Sequence, residues 1–336
     1  MDDDHIHLAH AESVVEGPLP YPPPRGRETF ARVAGIASEI TIGYQGEPGA
    51  YSEEALHATF PTATAKPFRT LRHAFHRVAD QTVDFALVPI ENSQAGSVLE
   101  TYDLLLEYRA LVVAEVVRQV DHCLLALPDA HQPQLKRVLS HPQALAQCEA
   151  FIVRHSLDPI PVYDTAGGAR QVQREGRPDQ AAIAGRRAAE LYALKIVAEK
   201  IQTVQENLTR FFLISRRGPK RPRPPRIKRP RYGKKTSLVC AVANEPGALY
   251  RLLACFNEYR VNLSKLESRP RRDPPWEYLF YLDVDGGRSD KPVAASLRAA
   301  KRVTTFLQVL GTYTRALPAA PPPKRRRRKS RSPAEP

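Results

Sequence analysis

The chain has 336 residues, which is enough for two or three compact domains with buried cores. Its formal net charge is +14, but eighteen Lys and Arg residues lie in the segments 216–235 and 324–331, and subtracting them leaves −4. The folded parts are therefore predicted to be mildly acidic, which argues against a basic nucleic-acid-binding domain. No apolar run reaches the roughly 20 residues that span a bilayer. The four cysteines lack paired spacing, so we expect reduced, mostly buried thiols at Cys123, Cys148, Cys240 and Cys255.

Three segments are predicted to lie outside the folded domains. Residues 1–39 begin with Met-Asp-Asp-Asp, which is unlike a secretory signal and too acidic for a typical transit peptide, so we expect a disordered leader. The basic, proline-rich segment 218–235 predicts an extended linker. Residues 317–336 predict a basic disordered tail, similar to a nuclear-localisation or polyanion-binding segment. Neither basic segment alternates with aromatic residues, so the expected contact with nucleic acid is at most non-specific.

Short buried strands alternate with helices between residues 40 and 217. Strands are predicted at 40–44, 85–90, 111–117, 123–127, 138–139, 161–163, 181–184 and 211–214. This alternation is typical of an α/β domain with mostly parallel strands. In such domains the functional groups gather at the carboxyl ends of the strands, where loops open a crevice.

A glycine-rich loop at 45–49 follows the first strand and precedes a helix. The loop lacks the Gly-x-Gly-x-x-Gly spacing of dinucleotide-binding domains, so no nucleotide cofactor is expected. The histidines are not arranged at metal-ligand intervals, and no metal is expected either. Backbone N–H groups at the start of the helix suit an anionic substrate instead.

The pattern changes from residue 236 onwards, and 236–316 is predicted to be a separate domain. Strands are expected at 238–242, 263–268, 278–284 and 305–310, and helices at 248–258 and 293–302. This βαββαβ order is that of a ferredoxin-like sandwich.

The hexapeptide 207–212 places a hydroxyl and a guanidinium next to each other, before a buried strand. Thr209 can donate a proton or a hydrogen bond, and Arg210 offers a rigid fork that suits a carboxylate. The same residues are also consistent with an edge threonine and a surface arginine beside a core strand.

Five runs in this chain resemble the catalytic domain of prephenate and arogenate dehydratases over residues 42–214. They are YQGEPGAYS (44–52), VPIENS (88–93), SHPQ (140–143) followed by QC (147–148), DTAGGA (164–169) and NLTRFF (207–212). The resemblance implies a catalytic domain of two lobes, like a periplasmic binding protein, with the site between the lobes and with no cofactor. Residues 236–314 resemble the ACT domain that follows in the same family, through NEPGAL (244–249) and ESRP (267–270).

The resemblance also implies roles for individual residues. It implies catalytic residues at Thr209, Arg210, Glu91 and Asn92, and substrate-binding residues at Ser140, Gln147, Phe211, Ser52, Ser93 and Thr165. It implies effector-binding residues at Asn244, Gly247, Ala248, Leu249, Glu267, Ser268 and Arg269. Thr209 is expected to donate the proton, and Arg210 to bind the side-chain carboxylate of the substrate. Glu91, or a water that it holds, is expected to restore the proton of Thr209. Helix capping is the alternative for Ser52, Glu91, Ser140 and Thr165, and a structural role is the alternative for His141.

The predicted function is therefore that of an arogenate dehydratase. It converts arogenate to phenylalanine by loss of CO2 and water, and it has prephenate dehydratase activity as well. Phenylalanine is the expected effector, a homo-oligomer (dimer or tetramer) the expected assembly, and the chloroplast stroma the expected location, with the cytoplasm as the alternative. Two further alternatives are an enzyme for prephenate alone and a non-catalytic two-lobed protein that binds a small anion. A nucleic-acid-associated regulator is supported only by the basic segments.

Overall fold

The computed structural model describes residues 40–219, 221–225, 227, 233–270 and 278–316. The predicted leader (1–39) and tail (317–336) lie outside the described residues, as do residues 220, 226 and 228–232 of the predicted linker. Within the described ranges, no helix has the length and apolarity needed to cross a membrane. The same ranges hold no group of three or more His, Cys, Asp and Glu side chains arranged to bind a metal ion.

The first lobe begins with three parallel strands, of which the two inner ones are mostly buried. Its first elements are β1 (Thr41–Gln45), α1 (Tyr51–Thr59), β2 (Thr64–Phe68), α2 (Leu71–Ala79), β3 (Phe85–Asn92), β4 (Gly96–Ser97), α3 (Leu99–Glu107) and β5 (Leu111–Gln119). β1 pairs in parallel with β2 and with β3. Thr70 is the N-cap of α2, and its side chain accepts from the His73 N–H. The apolar positions of α2 recur at helical spacing and face the core.

The second lobe has its own sheet and its own core. Its elements are β6 (Cys123–Ala126), β7 (Arg137–Ser140), α4 (Pro142–Gln147), α5 (Glu149–Arg154), β8 (Asp158–Pro161), α6 (Thr165–Glu175), β9 (Gln180–Ala184), α7 (Arg186–Leu191) and β10 (Lys195–Glu199). The strand order is β10-β6-β9-β7-β8. β7 pairs in parallel with β8 and β9, whereas β6 runs antiparallel to β9 and β10.

The chain then returns to the first lobe as strand β11 (Leu208–Ser215). β11 lies between β3 and β5 and is antiparallel to both, which gives the order β2-β1-β3-β11-β5. The two lobes are thus confirmed, but the expectation of mostly parallel strands is wrong. The reason is the double crossing: a strand that comes back from the second lobe enters the first sheet from the opposite end.

The C-terminal domain has the predicted βαββαβ order. Its elements are β12 (Lys234–Ala241), α8 (Ala248–Glu258), β13 (Leu263–Pro270), β14 (Tyr278–Asp285), α9 (Lys291–Val303) and β15 (Phe306–Thr314). The four strands form an antiparallel sheet in the order β13-β14-β12-β15. Both helices pack on one face of this sheet around a core that includes Leu252, Phe256 and Leu297.

The other face of the C-terminal sheet packs directly on the first lobe. One continuous apolar cluster joins Val239 and Tyr281 of the C-terminal domain to Val112 and Phe212 of the first lobe. β15 comes so close to β5 that a Cβ atom at Gly311 would lie 2.0 Å from the carbonyl oxygen of Val112. Only glycine fits at that position, so the approach of the two strands depends on it.

Candidate active site

A cavity of about 430 Å³ lies between the two lobes of the catalytic part. Its walls come from the loop after β1 and the start of α1, from the ends of β3 and β11, and from the starts of α4 and α6. The lining side chains that bear on chemistry are Tyr51, Ser52, Arg69, Asn92, His122, Gln147, Asp164, Thr165, Thr209 and Phe211. The cavity therefore opens at the carboxyl ends of the parallel strands, as expected for an α/β crevice.

The orientation of Asn92, at the end of β3, is fixed by the backbone. Its side-chain Oδ1 accepts from the N–H groups of Gln94 (3.0 Å) and Ala95 (2.9 Å), so the amide nitrogen must point the other way. That nitrogen donates to Asn207 Oδ1 (2.7 Å) and to Thr209 Oγ1 (3.0 Å). Asn92 is thus held as a donor towards Thr209.

This contact determines what the Thr209 hydroxyl can do. Because the oxygen accepts from Asn92, its own hydrogen is directed to another acceptor, and no such acceptor bonds to it among the described residues. Thr209 lines the cavity. The hydroxyl is therefore available as a hydrogen donor to a molecule bound there.

A chain of side-chain hydrogen bonds continues from Asn92 to the other wall. Gln147 Nε2 donates to Asn92 Oδ1 (3.3 Å), so Gln147 Oε1 is the acceptor for Asn207 Nδ2 (3.0 Å). His122 Nε2 lies 2.8 Å from the same Oε1 and must carry the hydrogen. His122 Nδ1 then accepts from the Tyr51 hydroxyl at 2.7 Å. The backbone N–H groups of Gln94 and Ala95, through Asn92, thus determine the tautomer of His122 on the opposite wall of the cavity.

The electrostatics agree with this arrangement. His122 is 2% exposed, and burial lowers its pKa from the ordinary value of 6.5, so the ring is neutral at pH 7. Burial also raises the pKa of the Tyr51 hydroxyl well above its ordinary value, which keeps it a donor. The chain is therefore composed of neutral groups.

His122, Tyr51 and Asn207 were not identified as site residues from the sequence. They meet because the chain crosses between the lobes twice, at 120–122 and 200–207, and the crossings lie side by side. Val120 N–H donates to the Asn207 carbonyl (2.7 Å), and Ile201 N–H donates to the His122 carbonyl (3.0 Å). Tyr51 and Asn207 lie within the quoted runs 44–52 and 207–212, but neither run indicated a contact with His122 or Gln147.

Arg210 lies behind the sheet, not in the cavity. Successive side chains of a strand point to opposite faces, so Thr209 and Phe211 face the cavity while Arg210 faces the C-terminal domain. Its guanidinium donates to Glu115, to Asp283 and to the Tyr313 hydroxyl (3.2 Å). Burial is the largest single effect on its pKa and opposes the charge, but Asp283, Tyr313 and Glu115 together outweigh burial and hold the pKa well above the ordinary value. The expectation that Arg210 binds a substrate carboxylate beside Thr209 is corrected by this geometry.

Glu91 is corrected for the same reason. It precedes Asn92 on β3 and therefore points to the rear face, where it bonds to Lys265 Nζ (2.9 Å) and Arg210 Nη1 (3.3 Å). It does not line the cavity and does not contact Thr209. Glu91 is neither the residue that restores the proton of Thr209 nor a helix cap.

The remaining predicted substrate residues divide into two groups. Ser52, Thr165, Gln147 and Phe211 line the cavity. Ser140 and Ser93 do not: the Ser140 hydroxyl donates to the Ile183 carbonyl (2.6 Å), and Ser93 Oγ accepts from the Leu208 N–H (2.9 Å). These two serines hold strands together.

The capping alternatives for three of these residues are wrong. The N-cap of α1 is Ala50 and not Ser52, the N-cap of α4 is His141 and not Ser140, and the N-cap of α6 is Asp164 and not Thr165. His141 also lines the cavity, so its structural role as a cap does not remove it from the site.

The predicted effector residues lie in the C-terminal domain, away from the cavity. Asn244, Gly247, Ala248 and Leu249 form the loop before α8 and its first turn. On β13, Ser268 is exposed, whereas Glu267 accepts from the Ser97 hydroxyl and Arg269 bonds to Asp103 (2.8 Å). An effector that used these two charged side chains would compete with pairs inside the chain.

The fold and the site together define a two-lobed enzyme domain that binds a small molecule between its lobes and carries a ferredoxin-like domain at its C-terminal side. The family model described as prephenate dehydratase matches residues 42–219. The chain belongs to the prephenate dehydratase family and is a carbon–oxygen lyase of that family.

Three similar proteins illustrate the relationship. Arogenate dehydratase/prephenate dehydratase 2 of Arabidopsis thaliana is 38% identical over 320 residues, which cover 93% of this chain and 82% of that protein. A prephenate dehydratase from Arthrobacter aurescens, solved in complex with L-Phe, is 32% identical with a TM-score of 0.74, covering 84% of this chain and 94% of that chain. GqqA, described as a novel type of quorum quenching acylase, is 34% identical with the same TM-score, covering 82% of this chain and 98% of that chain.

Proposed function

We propose that this chain is an arogenate dehydratase, which converts L-arogenate to L-phenylalanine, CO2 and water, and which also converts prephenate to phenylpyruvate. The observation that carries the proposal is the hydrogen bond from Asn92 to Thr209, which leaves the threonine hydroxyl as a donor into the cavity. Relatives named arogenate dehydratase in Arabidopsis thaliana and Petunia hybrida, 38–41% identical over most of the chain, support the substrate class.

The reaction needs one proton at one oxygen. The bond between the ring and its carboxylate breaks, its electron pair enters the ring, and the carbon–oxygen bond to the ring hydroxyl breaks in turn. The leaving oxygen takes the proton of Thr209 and departs as water, and solvent returns a proton to Thr209. A positioned proton donor typically contributes about 10²–10⁴-fold to the rate.

A threonine hydroxyl is a weak acid, and its surroundings must compensate. As the proton leaves, negative charge develops on Thr209 Oγ1, to which the amide N–H of Asn92 already donates. This contact strengthens as charge develops, as donors in oxyanion holes do. Asn92 is thus proposed as the group that makes Thr209 acidic enough in the transition state.

Two features of the cavity suit an anionic substrate, although the carboxyl groups of Glu100 and Asp164 also line it. Among the described lining residues, Arg69 provides the only fixed positive charge, and it lies 5.8 Å from the ring centroid of Tyr163. The first turn of α1 has no side-chain cap, so its N–H groups are open to a carboxylate. We assign Arg69 and this turn to the side-chain carboxylate. The departing carboxylate then meets neutral groups, which do not stabilise its charge in the ground state.

An acylase that uses a threonine needs the hydroxyl as a nucleophile. The geometry of this site favours proton donation by Thr209 instead. A nucleophilic threonine needs a base that accepts its proton. The partner of Thr209 Oγ1 is instead an amide donor, and the neutral His122 bonds to Gln147 and Tyr51. The acylase named among the relatives therefore does not change the proposal.

Replacement of Thr209 tests the proposal. Thr209→Val keeps the shape but removes the donor, and we expect kcat to fall about 10²–10⁴-fold with either substrate. Thr209→Ser should retain most of the activity, and Thr314→Val, at an exposed position of β15, should match the wild type. Full turnover by Thr209→Val, or a wild-type protein that releases neither phenylalanine nor phenylpyruvate, would refute the proposal.

Competition between the two substrates at equal concentration tests the preference. Faster release of phenylalanine than of phenylpyruvate supports arogenate as the main substrate. Equal rates would remove the preference for arogenate, and turnover of prephenate alone would assign the protein as a prephenate dehydratase.

The C-terminal domain is proposed to be an ACT domain that binds phenylalanine as a feedback effector in a homo-oligomer. The complex of the Arthrobacter aurescens relative with L-Phe supports the ligand. Residues 244–249 and the exposed Ser268 are the proposed contacts. Calorimetry should show binding of L-phenylalanine but not of D-phenylalanine, with a fall in turnover. No heat of binding, or binding without a change in turnover, would remove the regulatory role.

The proposed location is the chloroplast stroma, because relatives from Arabidopsis thaliana are named as chloroplastic. Expression of the full-length precursor with a fluorescent tag tests it. Cytoplasmic fluorescence would favour the alternative.

A further inference from the structure

A cluster of charged side chains lies directly behind the active-site strands, between the first lobe and the C-terminal domain. We call it the rear ion cluster, and it consists of Glu91, Glu115 and Arg210 from the first lobe with Lys235, Lys265 and Asp283 from the C-terminal domain. Arg210 bonds to Asp283 and Glu115, Lys265 bonds to Glu91 (2.9 Å), and Lys235 bonds to Glu115 (3.2 Å). Every pair except the Arg210 contacts to Glu91 and Glu115 crosses from one domain to the other.

The cluster is mostly buried, so each charge depends on its partners. The side chains of Arg210, Asp283 and Glu115 are 11%, 6% and 1% exposed. A buried charge that loses its partner is strongly unfavourable, because solvent cannot replace the contact. Removing one side chain of the cluster should therefore displace the others.

The register of the strands places the cluster immediately behind the proton donor. Thr209 is opposite Asn92, and Arg210 is opposite Glu91 on the paired strands β11 and β3. The register shifts between Arg210 and Phe211, so the backbone ladder is irregular next to the catalytic residue. Elsewhere along β3 and β11, regular backbone hydrogen bonds fix the relative position of the two strands. At the irregularity, the side chains behind the sheet help to fix it.

We propose that Asp283 and Lys265 of the C-terminal domain are positioning residues for the dehydratase reaction. Asp283 holds Arg210, and Lys265 holds Glu91. Arg210 follows Thr209 in the chain, and Glu91 precedes Asn92. Each contact therefore fixes the position of a residue next to one partner of the Asn92–Thr209 hydrogen bond. Neither residue touches the substrate. The inference rests on the proposed function, and it makes the C-terminal domain a part of the active-site architecture as well as the proposed effector domain.

The inference makes a specific kinetic prediction. Binding of the substrate carboxylate involves Arg69 and the start of α1, which the cluster does not contact, so KM should stay nearly constant. The proton donor should be misplaced, and a displacement on the order of 1 Å can cost about 10²-fold in rate. Because a loss of folded protein also lowers the apparent kcat at constant KM, each kcat is expressed per folded molecule, and the recovery of kcat by a conservative variant separates misplacement of the donor from loss of folded protein.

The test uses the full chain and three variants. Asp283→Asn and Lys265→Met each remove one charge of the cluster. Asp285→Asn is the matched control: it is the same substitution two residues further along β14, where Asp285 bonds to Asn262 (2.8 Å) outside the cluster. We expect kcat to fall at least about 10-fold in the first two variants with KM within about twofold. The Asp285→Asn variant should match the wild type, and Asp283→Glu should recover part of kcat.

Thermal unfolding identifies the variants that fold. If Asp283→Asn does not fold, the kinetics of Lys265→Met test the inference. A folded Lys265→Met or Asp283→Asn protein with wild-type kcat would overturn the inference, as would a fall in kcat equal to that of Asp285→Asn. If the wild type itself turns over neither arogenate nor prephenate, the proposed function fails first and the inference fails with it. An active wild type with insensitive variants refutes the inference alone.

Discussion

The side-chain amide of Asn92 donates to the hydroxyl oxygen of Thr209 over 3.0 Å, and this contact joins the ends of two antiparallel strands. The direction of the bond is set by the backbone N–H groups of Gln94 and Ala95, which occupy the other end of the amide. The hydroxyl proposed as the proton donor is thus oriented by main-chain groups through one intermediate side chain.

Reversal of this bond should switch the enzyme off. In Asn92→Asp a carboxylate oxygen replaces the donor nitrogen, so the Thr209 hydrogen turns towards it and away from the substrate. We expect kcat to fall about 10²–10³-fold, comparable with removal of an oxyanion-hole donor. Steady-state kinetics with arogenate measure the change, and Asn257→Asp on the exposed face of α8 is the control. A variant with kcat within threefold of the wild type would contradict the assigned direction.

His122 should make the protein less stable in mild acid. Its pKa is lowered by burial, so in the pH range between the ordinary value of 6.5 and the folded value the unfolded chain binds more protons than the folded protein. The stability that the neutral ring contributes is present above the ordinary value and is lost as the pH falls towards the folded one. Urea unfolding between about pH 7.5 and about pH 5.5 should show a decrease in the free energy of unfolding. His122→Gln should reduce that pH dependence, and His73→Gln, at an exposed position of α2, should not.

Arg69 should affect substrate binding more than turnover. Arg69→Gln removes the fixed positive charge of the cavity wall, and the loss of a charge-assisted hydrogen bond costs about 1.5–3 kcal/mol, or about 10–100-fold in KM. The matched control is Arg72→Gln, three residues further along, where the guanidinium pairs with Glu107 away from the cavity. A larger change in kcat than in KM would assign Arg69 to the reacting centre and not to the anchor.

Gly311 should be indispensable for the contact between the domains. An alanine Cβ would lie 2.0 Å from the Val112 carbonyl oxygen, and backbone cannot move aside as a flexible side chain can. Gly311→Ala should therefore lower the free energy of unfolding by at least about 1–3 kcal/mol. Gly96→Ala meets no atom within 4 Å and carries only the strain of its positive φ, so its loss should be smaller. Equal losses in chemical denaturation would show that β15 and β5 can separate.

Much of the fold follows from local patterns in the sequence. The C-terminal βαββαβ order is predicted correctly because each of its elements has strong periodicity. Strand β2 was missed because it is a half-exposed edge strand that contains Pro67, and short edge strands carry little alternation. The position of β11 between β3 and β5 was also missed, since it depends on the route of the chain through a second lobe and not on the composition of the strand.

In the site too, the residues in local motifs could be predicted, whereas contacts between residues far apart in the chain could not. Thr209, Asn92 and Gln147 were identified by resemblance to a family and do line the cavity. The orientation of Arg210 could have been predicted, because neighbours on a strand face opposite sides. His122 could not, because its partner Gln147 is 25 residues away and its tautomer depends on a contact with the backbone near Asn92.

The two adjacent chain crossings at 120–122 and 200–207 have a consequence for how an empty and an occupied cleft differ. His122 lies in one crossing and Asn207 in the other, and both donate to Gln147 of the second lobe. Any swing of one lobe about the crossings must stretch these bonds before it changes anything else in the cleft. The groups that join the two crossings to the second lobe are therefore the same groups that orient Asn92 towards Thr209, so a change in the angle between the lobes is coupled to the position of the proposed proton donor.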